Sequence, residues 1–242
     1  MPKSIDKGDV DISKLFEWKK NFDLEIFGRK ITIYLRLVGD AEINRARVYA
    51  LRKSAELRKK LRDKNSDEYI AFIPDFDIIT KEELLGGILT LAVKDLTNDA
   101  IKEVKIPLPV EPTSDASLEE QEKYQEEIDN YPILREELIR NYVKEKLQAL
   151  EDRYKKLSKE NLYDIYVKEA VNQLCEMEMI SAFREMSAYF GSYKDKNYKT
   201  RLVNTFEEFQ NLPSNIKTEI IQEYLSLEID GEVLKKLPEV TQ

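Results

Sequence analysis

Histidine is absent from this chain of 242 residues, and cysteine occurs once, at Cys175. The sequence therefore lacks the commonest general base and the commonest metal ligand at neutral pH. A single thiol cannot form a disulfide within the chain, so the composition gives no sign of an oxidising compartment. These absences argue against catalysis, and we expect a non-enzymatic protein that needs no cofactor.

Glycine and proline are also scarce, with seven and eight residues, which is too few for the many turns of an all-β fold. No run of about 18 apolar residues occurs, so we expect no membrane span. The N-terminal residues are too polar for a signal peptide. A net charge of −8 argues against binding to nucleic acid or to anionic membranes. We therefore expect a cytoplasmic protein.

Charged residues, by contrast, are abundant and make up 36% of the chain, above the usual quarter or so of a globular protein. Hydrophobic residues make up 42%, which is enough for a buried core. This balance is typical of helices with wide solvated faces, or of a surface shared with a partner.

Residues 21–39 carry the clearest strand pattern. Phe22, Leu24 and Ile26 alternate with polar neighbours, and the alternation resumes over 31–37. Gly28 lies between the two runs, where a tight turn requires a positive φ. The pattern predicts a β-hairpin.

A long helix is predicted next, over residues 40–64, which contain no glycine or proline. Arg45, Arg52 and Lys59 are spaced by seven and line one face of this helix. The favoured interpretation is a solvated face. The alternatives are a docking surface for an acidic partner, or for the chain's own acidic segment 111–129, and a nucleic-acid contact.

Residues 65–80 are predicted to form a loop with a short strand at 69–73. Thr80 and Glu83 have the spacing of a capping box, which predicts a helix over 81–95. This helix contains two adjacent glycines, at 86 and 87. They should weaken it by about 2 kcal/mol relative to alanine, so we expect another backbone close by, or a bend. No phosphate-loop motif surrounds them.

Residues 105–117 are the best linker candidate, because three prolines within six residues favour an extended path. We therefore predict an N-terminal domain over 1–104, with the hairpin and helices, and a helical domain over 118–242. The fold class is mainly α with a small N-terminal β-hairpin (α+β), and the C-terminal part resembles a multi-helix bundle.

The acidic run 111–129 is predicted to be a solvated helix, because Ser117 and Glu120 have capping-box spacing. The later helices are predicted at 133–156, 160–190, 205–210 and 214–228, with a short helical turn at 231–236.

Few residues suggest chemistry or binding in the C-terminal part. Cys175 lies on an apolar stripe of the 160–190 helix, which favours a buried structural thiol. A metal site would need carboxylate oxygens alone, and no calcium-loop motif is present, so we expect no metal. Most late aromatic residues should be core. Tyr189 and Tyr193, beside Gly191 at the end of a long helix, are candidates for an exposed protein-binding patch.

Two stretches resemble proteins of tailed bacteriophages. Residues 22–61, FDLEIFGRKITIYLRLVGDAEINRARVYALRKSAELRKKL, place a short hairpin before an alanine- and arginine-rich helix. Residues 206–228, FEEFQNLPSNIKTEIIQEYLSLE, lead from an aromatic and Asn-Leu-Pro junction into an amphipathic helix. Both are similar to phage tail-assembly chaperones, and together they cover about a quarter of the chain.

The resemblance implies a small, mostly helical, non-enzymatic protein of the host cytoplasm. Its partner would be a phage tail component such as the tape-measure protein, on which tail-tube subunits gather. Three alternatives remain open: a structural virion protein of neck, baseplate or tail; a Mg²⁺-dependent enzyme that uses carboxylates; and a regulator that binds a host protein through Arg45, Arg52 and Lys59.

Overall fold

A computed structural model describes residues 19–26, 29–113 and 116–235 of the chain. The described residues are mainly helical with one small antiparallel sheet, which confirms the predicted fold class. In chain order the elements are β1 (Lys19–Ile26), β2 (Arg29–Arg36), α1 (Asp40–Lys60), α2 (Asp67–Phe72), α3 (Lys81–Glu103), α4 (Leu118–Tyr154), α5 (Lys159–Gly191), β3 (Ser192–Tyr193), α6 (Phe206–Gln210) and α7 (Ser214–Lys235).

The predicted hairpin is present, with β1 and β2 paired antiparallel. Leu24 on β1 and Ile33 and Leu35 on β2 are buried, as the alternation predicted, because every second side chain points to the same face of the sheet. The predicted turn residue, Gly28, lies outside the described residues.

A third strand, which the sequence did not predict, completes the sheet. The two-residue β3 pairs antiparallel with β2, and Tyr193 also bridges to Arg201. Gly191 makes this approach possible: a Cβ atom there would lie 2.8 Å from the carbonyl oxygen of Arg36 and 2.4 Å from the Tyr224 ring. The end of α5 thus lies against the sheet only because residue 191 has no side chain.

The chain divides into two compact units. Unit 1 comprises Met1–Leu57 and Cys175–Gln242, and unit 2 comprises Arg58–Leu174. This division differs from the predicted one at 105–117, a segment that lies within unit 2. The helices α1 and α5 each contribute residues to both units, which is why composition alone does not reveal the boundaries.

Unit 1 has an aliphatic and aromatic core beneath the sheet. Its members are Leu24, Ile33, Leu35, Ala188, Tyr189, Phe190, Phe209, Ile216, Ile220, Tyr224 and Leu227. They come from both ends of the chain, since β1, β2, α5, α6 and α7 all contribute. Burial of α5 is most complete at its end, where residues 187–191 are all buried, as are the two residues of β3 that follow.

Unit 2 contains a helix where a strand was predicted. Residues 69–73 lie in α2 and at its C-cap, so the predicted strand is wrong. The reason is local: the Ser66 hydroxyl caps the helix by accepting a hydrogen bond from the Tyr69 N–H at 3.0 Å. Asp67 and Glu68 then place negative charge in the first turn, where the helix dipole favours it.

The next two helices are longer than predicted. The capping box of Thr80 and Glu83 is present, but α3 continues to Glu103. The capping box of Ser117 and Glu120 is also present, and α4 runs from it without a break to Tyr154. The predicted separation of the acidic helix from a helix starting at 133 is therefore wrong, and Pro132 lies inside α4. Likewise, α7 continues through the predicted break near 229.

Candidate protein-binding surfaces

The basic face predicted on the first helix is exposed. Arg45, Arg52 and Lys59 all lie on α1 with exposed side chains, and none of them forms a salt bridge with a residue that the structure describes. Arg58 differs from them, since its guanidinium donates to the Asn172 side chain at 3.0 Å. All three predicted cations are therefore exposed, Arg45 and Arg52 in the part of α1 that belongs to unit 1 and Lys59 in the part that belongs to unit 2.

The two predicted tyrosines are buried instead. Tyr189 is 9% exposed and Tyr193 is 3% exposed, so neither contributes to an exposed patch, and that expectation is wrong. The Tyr189 hydroxyl donates to the carbonyl oxygen of Asn204 at 3.2 Å. The Tyr193 hydroxyl accepts from Nε of Arg36 at 3.0 Å. Both side chains hold unit 1 together.

A charged cluster lies beside these tyrosines. The Glu42 carboxylate accepts hydrogen bonds from Arg36, at 3.1 and 3.2 Å, and from Arg201, at 2.8 Å. The Arg201 guanidinium also lies 5.4 Å from the ring centroid of Tyr189 and 5.6 Å from that of Tyr193. The cluster links β2, the first turn of α1 and the segment after β3.

Glu42 is held in its charged form by this cluster. Partial burial raises its pKa, but the hydrogen bonds from Arg201 and from the Gly39 N–H, with the charges of Arg36 and Arg201, outweigh burial and lower it. Sequence reasoning missed the cluster because its members are up to 165 residues apart. An acidic residue in the first turn of α1 was its only local sign.

Unit 1 carries an apolar groove between α1 and α5. The groove has a volume of about 440 Å³ and is lined by Arg47, Ala50, Leu51, Met179, Ile180 and Phe183. Leu51 is 59% exposed, and its neighbour Val48 on the same helix is 50% exposed. This groove is of the kind that accepts an apolar side chain from another protein segment.

In unit 2, α4 is a long helix without a buried residue among its 37 positions. Its C-terminal end packs antiparallel to α3: Lys81 Nζ donates to the carbonyl oxygen of Lys155 at 3.0 Å, and the Tyr142 hydroxyl donates to Glu103 at 3.0 Å. The part of α4 that comes before these contacts is residues 118–141, which extend over about 36 Å at the usual helical rise.

An extended proline-rich segment lies beside this first part of α4. Residues 104–113 contain no helix or strand, and the Tyr131 hydroxyl donates to the carbonyl oxygen of Ile106 at 3.2 Å. A cleft of about 600 Å³ separates residues 106–110 from the helix. We call residues 104–113 and 118–138 together the arm.

The arm exposes many apolar side chains among its charges. Exposed apolar side chains are found at Leu108, Val110, Leu118, Ile133, Leu134 and Leu138, and Val110 reaches 87% exposure. Between residues 118 and 138 there are eight acidic residues, against only Lys123 and Arg135. The arm therefore combines exposed apolar surface with strong negative charge.

Among the described residues, no group of three or more histidine, cysteine, aspartate or glutamate side chains is placed to hold a metal ion. Cys175 is 1% exposed within α5, so the predicted burial of this thiol is confirmed. No described helix is long and apolar enough to cross a membrane.

Comparison with known proteins gives no match, whether with protein-family models, with curated proteins or with solved structures.

Proposed function

We propose that this protein acts by binding other proteins, as a non-enzymatic assembly factor of the tail-assembly chaperone type. The observation that carries the proposal is the arm: a helix and an extended segment whose apolar side chains, including Leu108, Ile133 and Leu134, face solvent. Leu108 and Leu134 line the same cleft, and exposed apolar side chains that lie near one another are typical of a binding site for another protein.

The chemistry of the arm indicates which partner segments it would favour. Apolar contacts with Leu108, Ile133 and Leu134 would supply affinity, and the surrounding carboxylates would favour a segment that also carries lysine or arginine. An amphipathic helix with a basic face meets both requirements. The acidic charge of the arm also disfavours pairing of two arms.

A chaperone must release its client, and the arm suits transient binding. None of the described residues 118–138 is buried, so a client can reach this part of the helix without displacing a packed layer. The groove at Leu51 offers a second, smaller apolar contact in unit 1. An extended helical client such as a tape-measure protein would present many such segments in succession.

The phage assignment rests on the resemblance of residues 22–61 and 206–228 to tail-assembly chaperones. It implies action in the host cytoplasm, on a tail protein, before the virion is complete. A chaperone should then be missing from purified particles, whereas a structural protein of neck, baseplate or tail would be present in fixed copy number.

The test is capture of partners by the tagged full chain from lysate of the source cells, followed by cross-linking and mass spectrometry. We expect one long helical protein as the main partner, with cross-links concentrated on the arm. The substitutions Leu108→Ser, Ile133→Ser and Leu134→Ser together should abolish capture. The triple variant Ile78→Ser, Val93→Ser and Ile101→Ser changes three exposed apolar positions outside the arm; it is the control and should leave capture intact.

Other outcomes point to the alternatives. Recovery of the protein in purified particles would favour a structural role. Capture of a host protein that is lost when Arg45, Arg52 and Lys59 are reversed in charge, and not when the arm is changed, would favour a regulator. Capture unaffected by the arm substitutions would contradict the proposed role of the arm.

A further inference from the structure

Unit 2 contains a pocket of about 530 Å³ in which aromatic rings and carboxylates are combined. The aromatic side chains are Tyr69, Phe76 and Tyr163, and the carboxylates are Asp75, Glu160 and Asp164. The volume is within the range of sites that accept a small ligand or a side chain. None of these residues belongs to the arm or lines the groove of unit 1.

Two of the rings form a corner. Phe76 and Tyr163 lie with their centroids 5.1 Å apart and their planes at 82°. Perpendicular rings present a face and an edge to the same space, and the electron-rich face attracts a cation. Lys159 places its ammonium 4.6 Å from the centroid of Phe76, so this ring already has one cation partner within the protein, and an incoming cation must share the corner with it.

Hydrogen bonds hold the corner rigid. The Tyr163 hydroxyl donates to the carbonyl oxygen of Pro74 at 2.9 Å. Because its proton is used there, it accepts from the Tyr69 hydroxyl, whose oxygen is 3.3 Å away. Burial and the neighbouring Tyr69 raise the pKa of Tyr163, so its hydroxyl stays protonated and keeps this bond. A preorganised wall reduces the entropy lost when a ligand binds.

The rim of the pocket is negatively charged. Asp75, Glu160 and Asp164 are exposed, and Lys64 is the cation among the lining residues. An exposed apolar side chain adds to this rim: Ile70 lines the pocket with 66% of its surface accessible. The surroundings therefore suit a cationic side chain that is carried by an apolar peptide segment.

We propose that this pocket binds an arginine side chain of a partner protein, with the guanidinium against the Phe76–Tyr163 corner and within reach of the acidic rim. Arginine fits better than lysine, because its planar guanidinium stacks on aromatic rings and pairs with carboxylates in a bidentate manner. The inference rests on the proposed role in protein binding, since it names one side chain that a partner must supply.

The experiment uses a blocked Leu-Arg-Leu tripeptide as the probe and the full chain with ¹³C-labelled isoleucine methyl groups. Ile70 and Ile73 line the pocket, and Ile220 in the core of unit 1 is the internal reference. We expect saturable shifts of the Ile70 and Ile73 methyl signals and none at Ile220. The same peptide with citrulline in place of arginine has the same shape without the charge, and should give no saturable shift.

Matched variants locate the contact. Phe76→Leu should weaken peptide binding about threefold or more, from the loss of a cation–π contact. Phe72→Leu, an exposed ring outside the pocket lining, should leave it unchanged. The pair Asp75→Asn and Asp164→Asn should weaken binding and flatten its dependence on salt. Both carboxylates are exposed, so these changes spare the fold.

The proposal is overturned if the arginine peptide shifts neither methyl signal, if the citrulline peptide binds equally well, or if Phe72→Leu and Phe76→Leu have equal effects. These results are independent of the arm. If the peptide binds and the arm-substituted chain still captures its client, the pocket proposal is upheld and the proposed role of the arm is contradicted. If the peptide does not bind and the arm-substituted chain loses capture, the role of the arm is upheld and the pocket proposal is contradicted.

Discussion

Three glycines in helices of this protein have different surroundings. A Cβ at Gly86 would meet nothing within 4 Å, one at Gly87 would lie 2.6 Å from the Tyr166 ring, and one at Gly191 would meet backbone. The sequence predicted a close backbone, or a bend, for the pair at 86 and 87. The close neighbour of Gly87 is a side chain, and the close backbone contact occurs at Gly191, where it was not predicted.

These surroundings predict opposite effects of alanine. Gly191→Ala should lower the free energy of unfolding by about 1–3 kcal/mol, because the new methyl group cannot be accommodated beside the Arg36 carbonyl without a backbone shift. Gly86→Ala should raise it by up to about 1 kcal/mol, because alanine favours the helix and has room. Urea denaturation of both variants measures the difference, and equal effects would contradict the packing at Gly191.

The lowered pKa of Glu42 predicts that the free energy of unfolding depends on pH. Its pKa is lowered from the ordinary value of 4.5, so its contribution is fully present above that value and is lost as the pH falls through the lower folded-state pKa. Glu42→Gln should cost about 1.5–3 kcal/mol at neutral pH, because it removes charged hydrogen bonds from Arg36 and Arg201.

The pH profile separates this effect from a simple loss of packing. The difference in unfolding free energy between the wild-type chain and Glu42→Gln should shrink as the pH is lowered from neutral to about 3. Urea titrations at several pH values give that difference directly. A difference that stays constant over the whole range would show that the carboxylate charge is not what stabilises unit 1.

At the scale of elements, the sequence was sufficient to predict those elements whose formation depends only on neighbouring residues. The β-hairpin and the capping boxes at Thr80 and Ser117 are each set by a few neighbouring residues, and all were predictable. The strand β3 was not, because it exists only through pairing with β2, more than 150 residues earlier. The helix α2 was missed because its Ser66 cap was read as part of a loop.

The continuity of α4 has another cause. Pro132 cannot donate a backbone hydrogen bond and crowds the carbonyl four residues earlier, which disfavours a continuous helix. The helix continues through it in the structure, and the cost of up to about 3 kcal/mol is tolerated in a long element. Residues 118–138, the helical part of the arm, should therefore be the least stable part of α4.

Pro132→Ala tests this directly. The substitution restores a hydrogen bond and relieves the clash, so amide hydrogen exchange over residues 124–136 should slow markedly. Exchange in the part of α4 that packs against α3, after Tyr142, should change little. Hydrogen exchange with mass spectrometry resolves the two regions. Unchanged exchange around residue 132 would show that proline does not weaken the arm.

At the scale of the whole molecule, charge and exposed apolar surface are distributed unevenly. The exposed cations Arg45 and Arg52 lie on α1 in unit 1, and the arm in unit 2 combines exposed apolar side chains with acidic charge. Composition correctly suggested helices with wide solvated faces. It could not place the candidate binding residues, because side chains such as Leu108 and Ile133 look like core residues in the sequence and become recognisable only when their exposure is known.

The same limitation explains the errors at Tyr189 and Tyr193. Aromatic residues near the end of a helix are compatible with either a core or an exposed patch, and the sequence does not contain the packing that decides between them. The pocket of Tyr69, Phe76 and Tyr163 was missed for a related reason. Its walls come from segments about 90 residues apart, and none of its residues forms a recognisable motif.

The measurement that tests the central claim most directly is hydrogen exchange of the full chain, alone and saturated with its captured client. We expect slower exchange in the arm, over residues 104–113 and 118–138, with unit 1 amides in the β2 and α7 core unchanged. Client binding that leaves exchange of the arm unaltered would contradict the account, and would assign recognition to another surface of the protein.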